Sequence, residues 1–316
     1  MTSGTPLAHW DEVERERREV GDMRATFRRL GAAAGATVAG VSLIDVDPGC
    51  RAGPVHVHES EEEIFFVLSG SGLAWIDGAV HEIGPGDTIV YRAGGPLHTV
   101  IAGPDGLSVL AYGENHPPPL VRLPRAGMVR RGRLWLEASA DDPLEREAAA
   151  GPLELHEPTP RPSCIVALED VEPEIMDEGK FADSSRSLGR AAGAVRTGLN
   201  HAVMAAGKWS CPPHWHGAEH ELFVVLEGGG DLLLFDDRGE QVEEHPLRAG
   251  HCVARPGPSR PKLAHALRGG PDGITYLAYG TRRPDEITYY PMSRKAFLGD
   301  VLVRLDLADD YWEGEV

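Results

Sequence analysis

Apolar residues in this chain fall in short runs that glycine-rich turns soon interrupt. EIFFVLSG, GLAWID, DTIVYR and LSVLAYG follow one another in the first half, and similar runs return in the second. Runs of this length and spacing predict strands of a sandwich or barrel, and closing such a sheet removes its exposed edges. Three stretches depart from the pattern. Residues 11–30, DEVERERREVGDMRATFRRL, are charged with sparse apolar positions and predict one helix packed on the first barrel. Residues from 114 to about 180 begin HPPPLVRLPRAG and contain HEPTPRPSC, which predicts an extended, wrapping connector. The last stretch holds a strand-like LGDVLVRLDL and a Tyr/Trp-rich close, apolar enough to predict a docked tail.

The pattern occurs twice. Leu30-Gly31 through Gly35 returns as Leu188-Gly189 through Gly193, His56-Val57-His58 as His214-Trp215-His216, and Ile64 through Gly70 as Leu222 through Gly228, all at an offset of 158. Gly103-Pro104-Asp105-Gly106 returns as Gly270-Pro271-Asp272-Gly273, and Leu110 through Gly113 as Leu277 through Gly280, at 167. The second copy therefore carries nine extra residues, placed in GGGDLLLFDDRGEQ and RPGPSRPKLA. The expected division is an N-terminal helical arm (1–36), a first barrel (37–113), a connector (114–180), a second barrel (181–280) and a docked tail (281–316).

Composition narrows the function classes. At 316 residues, 41% hydrophobic and 25% charged, the chain has the profile of two globular modules. A net charge of −18 repels phosphate backbones and anionic membranes, so neither nucleic acid nor a membrane is the expected partner. No run of 18 apolar residues exists and the start has no signal-type apolar stretch, so a cytoplasmic protein is expected. Cys50, Cys164, Cys211 and Cys252 form no CxxC pair and read as free thiols, with Cys252 in the core and Cys211 a packed thiol.

Candidate chemistry sits inside the repeat. On a strand, alternate side chains share a face, so His56 and His58 point one way and Val57 the other; His214, His216 and Trp215 do the same. Glu63 and Glu221 each follow five residues after the second histidine. His98 and His265 share the 167 offset, each twelve residues before its Leu-Ala-Tyr-Gly, and this selects His265 over His245 and His251. Three imidazoles and one carboxylate suit one divalent metal per barrel, Fe, Mn, Ni or Zn. Four protein ligands on a six-coordinate ion leave two positions open, as in a catalytic site.

These residues resemble the cupin superfamily. Gly53-Pro54-Val55-His56-Val57-His58 through Glu63 and Gly70 is similar to its first motif, with a short Gly53-to-His56 spacing, and Cys211 stands where Gly53 does in the second copy. Gly86 through His98 and Gly250 through Pro256 are similar to its second motif, with Arg92 where proline is expected. The motif's spacing to glycine favours Glu63 and Glu221 over Glu61 and Glu219; Glu59, Glu61 and Glu62 otherwise read as a solvated turn. His81 and His245 read as surface residues.

The resemblance implies an all-β fold of two tandem cupin (double-stranded β-helix, jelly-roll) barrels with an N-terminal helix, and a homodimer. The Tyr289-Tyr290-Pro291 and Asp310-Tyr311-Trp312 close further resembles uncharacterised bacterial two-domain cupins, a group that implies no substrate. Fold does not choose among the activities of such proteins. The expected function is a metal-dependent oxidoreductase, dioxygenase-like, acting on a small organic acid or phenol. A non-redox isomerase or hydrolase and a non-catalytic ligand binder are the alternatives. No general acid or base is identifiable.

Overall fold

The computed structural model describes residues 6–115, 119–131, 134–136 (backbone only), 142–257 and 262–305. Its strands form two eight-stranded and two four-stranded antiparallel sheets, one of each size per barrel. The large sheet of the first barrel runs Ile165–Val166, Thr88–Tyr91, Glu63–Ile76, His98–Glu114, Ala39–Val46, Met23–Arg28, Glu16–Val20, with Ala79–Ile83 beside Glu63–Ile76. That of the second runs Leu7–His9, His251–Arg255, Glu221–Phe235, Ala264–Thr281, Thr197–Met204, Phe181–Arg186, Glu174–Glu178, with Gln241–Arg248 beside Glu221–Phe235. The chain thus folds as two tandem cupin barrels, and each takes one strand from the other half. Leu7–His9 pairs with His251–Arg255, and Ile165–Val166 pairs with Thr88–Tyr91.

The internal repeat is longer than the motifs suggest. Strands at 16–20 and 23–28 return at 174–178 and 181–186, and the hairpins that follow each barrel, from Leu120 and from Ile287, also correspond. The extra residues of the second copy divide between two places. The strand partner of Phe66 is Thr88 and that of Val224 is Cys252, an offset of 164, so six of the nine lie in the hairpin around Asp236. The other three lie before His265.

The N-terminal helix is corrected by the structure. Residues 16–28 form a hairpin, and only Leu30–Ala33 is helical. Met23, Ala25 and Phe27 are buried while Arg24 is exposed, an alternation of period two. Val20 pairs with Met23 across the two-residue turn Gly21-Asp22, with Gly21 at φ +59. That is a hairpin signal, and the surrounding charge hides it.

Both barrels share one core. Leu30, Val41, Ile64 and Tyr112 of the first pack with Leu188, Leu199, Leu222 and Tyr279 of the second, with the two tyrosine rings stacked at 5.2 Å. The recurring Leu-Gly pairs explain themselves here. A Cβ on Gly31 would lie 2.8 Å from the Val41 nitrogen, and one on Gly189 2.6 Å from that of Leu199, so only glycine lets the helical turn rest on its strand.

The acidic turn is not solvated. Glu61 and Glu62 are 4% and 1% exposed. The Glu62 carboxylate accepts from the backbone nitrogens of Val195 (3.0 Å), Arg196 (3.2 Å) and Thr197 (3.0 Å), and from Thr197 Oγ1 (2.6 Å), all in the second half of the chain. His81 is likewise buried, its Nδ1 3.2 Å from the Thr159 carbonyl, because the segment around Thr159 lies over it. Both were misread because long-range packing covers them.

Glu62→Ala should therefore remove the acceptor of three backbone N–H groups, that of Thr197 fully buried, and lower unfolding stability by about 3 kcal/mol. Chemical denaturation should show it as a lower midpoint, with Glu62→Gln falling between.

Candidate metal centres

In each barrel two candidate ligands are locked face to face by the backbone. His56 and His98 form an isolated antiparallel bridge, with N-to-O distances of 3.2 and 2.9 Å. His214 and His265 do the same at 3.3 and 2.8 Å. Opposite residues of an antiparallel pair share a face, so each bridge sets two imidazoles side by side. The alternation of His-x-His adds the third ring, and the adjacent long strand adds the carboxylate.

All four expected residues meet in each barrel. In the first, Glu63 Oε2 is 3.2 Å from His98 Nε2 and 3.7 Å from His56 Nε2, and Glu63 Oε1 is 3.4 Å from His58 Nε2. In the second, Glu221 Oε2 is 2.8 Å from His265 Nε2 and 3.1 Å from His216 Nε2, and the Nε2 atoms of His214 and His216 are 3.2 Å apart. Donors about 2.1 Å from one ion and at right angles lie about 3 Å from each other, so these spacings fit a common cation.

The other ring nitrogens decide which atoms face that point. His56 Nδ1 donates to the Pro54 carbonyl (2.9 Å), His98 Nδ1 to that of Pro96 (3.1 Å) and His214 Nδ1 to that of Pro212 (2.9 Å). His58 Nδ1 donates to Glu61 (2.9 Å) and His216 Nδ1 to Glu286 (2.9 Å). Carbonyls and carboxylates accept only, so Nδ1 carries the proton and a neutral ring presents a bare Nε2 lone pair. Two such lone pairs repel. The His214–His216 pair needs a cation between its rings, either a proton on His216 or a metal in that proton's place. Glu221 Oε2 and His265 Nε2 make the same point: they are buried, 2.8 Å apart, and without hydrogen-bond geometry.

Electrostatics keep the carboxylates ionised. Burial works to raise Glu63, but His58, His56 and His98 outweigh it and hold it well below the usual carboxylate range. Glu221 is held down against burial by His216 and His265. His216 is pushed down by burial and pulled up further by Glu221 and Glu286, to about 10. His265 is pushed by burial down to about 3 and stays neutral.

The two centres are supported differently. Glu61 orients His58, whereas its counterpart Glu219 accepts from the Arg283 nitrogen at 2.7 Å. Glu286, seventy positions from His216, does the orienting there. Glu286 also accepts from the backbone nitrogens of Ala218 (2.9 Å) and Glu219 (2.7 Å) and from Thr288 Oγ1 (3.2 Å), so the grouping of His216, Glu219 and Glu286 is a candidate ligand of the second centre with the carboxylates behind it, not a third centre. Sequence reading missed Glu286, since no local spacing links it to His216. It also passed over the Pro-x-His spacing at Pro54, Pro96 and Pro212, which was readable.

Cys211 Sγ lies 3.5 Å from His214 Nδ1, and burial pushes its thiol up to about 12, so it stays protonated. His245 pairs with Glu243 and His251 Nδ1 accepts from the Arg248 nitrogen, both away from the centre. Asp310, Tyr311 and Trp312 lie outside the described residues.

Comparison with known proteins agrees with the fold. Residues 42–112 match the family model described as Cupin domain. Among curated proteins, none matches the chain in sequence. Oxalate decarboxylase from Bacillus subtilis at pH 4.6 is similar in structure, with a TM-score of 0.59 and 15% identity over 90% of this chain and 80% of that one. Lactobacillus farciminis oxalate decarboxylase, as a formate complex, gives 0.60 and 13% over 89% and 87%. The DEL162-163 mutant of the Bacillus subtilis enzyme gives 0.60 and 14% over 90% and 80%. At these identities the likeness is one of fold: the chain has the two-barrel cupin architecture, and its first barrel carries the matched cupin domain.

Proposed function

We propose that this protein is a metal-dependent enzyme with one divalent cation per barrel, held by His56, His58, Glu63 and His98 in the first and by His214, His216, Glu221 and His265 in the second. One observation carries the reading. The Nδ1 atoms of His56, His58, His98, His214 and His216 each lie 2.9–3.1 Å from a backbone carbonyl or a carboxylate, which turns their Nε2 atoms toward one point beside an ionised carboxylate. Once bound, such a cation supplies Lewis-acid polarisation of a coordinated oxygen or, if redox-active, one-electron chemistry. The chain's own residues orient the ligands and keep Glu63 and Glu221 charged.

The activity we assign is dioxygenase-like oxidation of a small organic acid or phenol. The three-histidine, one-carboxylate donor set supports it, and so do the partly exposed ligands, with His58 at 21% and Glu221 at 22% exposure. The similar structures are named as oxalate decarboxylases, which fits a small organic acid.

Elemental analysis of the purified protein should find about two equivalents of Fe, Mn, Ni or Zn per chain. His56→Ala and His214→Ala should each lose one of them. Less than about a tenth of an equivalent in the parent protein would sink the metal reading. Oxygen uptake on a panel of organic acids and phenols tests the reaction. A zinc- or nickel-loaded protein that consumes none would point to isomerase or hydrolase chemistry.

The supporting carboxylates give a sharper check. Glu286→Ala should weaken metal binding at the second centre about 10–100-fold and leave the first unchanged, and Glu61→Ala should do the reverse. Chelator competition with each variant reads both sites.

A further inference from the structure

The two barrels hold the same ligands but differ in what else faces them. In the register of the first, Glu63 pairs with Tyr91; in the second, Glu221 pairs with Arg255. Partners in such a pair share a face, so Tyr91 and Arg255 both point inward beside the metal-ligand carboxylate. Tyr91 is used up by packing. Its ring stacks on His98 at 3.7 Å and 8°, and its hydroxyl is buried without a partner. Arg255 is a cation in the same place. It donates from Nη2 to the Leu263 carbonyl, its Nε is buried and unpartnered, and among the described residues no carboxylate forms a salt bridge with it. Its charge reaches both Glu221 and His265.

A second substitution follows the same direction. His216 pairs with Thr288, so Tyr290 lies on the ligand face, its ring 5.7 Å from that of His214. In the first barrel, His58 pairs with Val121, and Leu123 takes the place of Tyr290. Val121 and Leu123 belong there to an apolar cluster with Ala126 and Met128. Access is not the difference: Glu63 and Glu221 are 17% and 22% exposed. The chemistry of the rim is. Arg130 also lies on the ligand face of the first barrel, paired with Val121, but it is exposed, where solvent screens its charge.

We propose that the second barrel is the ligand-taking centre and that Arg255 receives the carboxylate of its substrate, with the Tyr290 hydroxyl lining the same space. This deepens, and rests on, the reading of that cluster as a metal centre. A largely desolvated guanidinium that feels Glu221 and Glu243 yet makes an ion pair with neither is unfavourable, and a planar carboxylate matches its fork. The surrounding chain carries a net charge of −18 and would otherwise repel an anion, so a fixed internal cation is what admits one.

Calorimetric titration of the metal-loaded protein with malonate and with benzoate, each against its neutral amide, tests the assignment. At least one acid should bind at about one equivalent per chain and its amide should not. Arg255→Met should weaken that binding about tenfold or more at unchanged metal content, Arg255→Lys should recover part of it, and Arg130→Gln should leave it as it was. A metal-loaded protein that shows no preference for acid over amide, binds two equivalents, or loses binding in Arg130→Gln instead overturns the assignment. Acid binding that depends on Arg255 in a protein without metal would overturn the metal reading alone.

Discussion

Each barrel is closed by a strand from the other half of the chain, and the rest of the molecule is arranged around that exchange. Leu7–His9 covers the edge of the second large sheet and Ile165–Val166 that of the first. An uncovered edge offers unpaired backbone groups to any passing strand, so the swap protects both sheets at once. It also ties the halves together, as do the shared apolar core and the Glu62 carboxylate bound to the backbone of residues 195–197. Neither barrel owns all of its own wall.

A wall held this firmly can hold histidines in an unfavourable arrangement. The cross-strand bridges fix His56 against His98 and His214 against His265, and the Nδ1 hydrogen bonds fix how most of the rings are turned. The cost is a set of facing lone pairs and a half-buried carboxylate in each barrel, which the sheets stabilise elsewhere. Cationic charge at the centre of each cluster would relieve it.

Duplication then lets the copies diverge without disturbing the frame. The ligands coincide, while the neighbouring positions run from Tyr91 to Arg255, from Leu123 to Tyr290, from Val121 to Thr288 and from Gly53 to Cys211. The first three of these changes make the second rim more polar close to the ligands, while farther out Arg130 gives way to Phe297. Orientation of the middle histidine moved as well, from a carboxylate three residues away to one seventy residues away.

The sequence by itself determined the β-class, the duplication and the eight candidate ligands. It could do so because strand alternation and a repeat offset are local properties: His-x-His shares a face wherever the strand goes, and a constant spacing selects His98 and His265. It misread the hairpin at 16–28, where charge on the outer face hid a period-two inner face of Met23, Ala25 and Phe27. Only the tertiary structure decided that Glu62 is an anchor, that Glu286 steers His216 and that Arg255 stands beside Glu221. These depend on which strands become neighbours, and burial and register are set by packing between segments far apart in the chain.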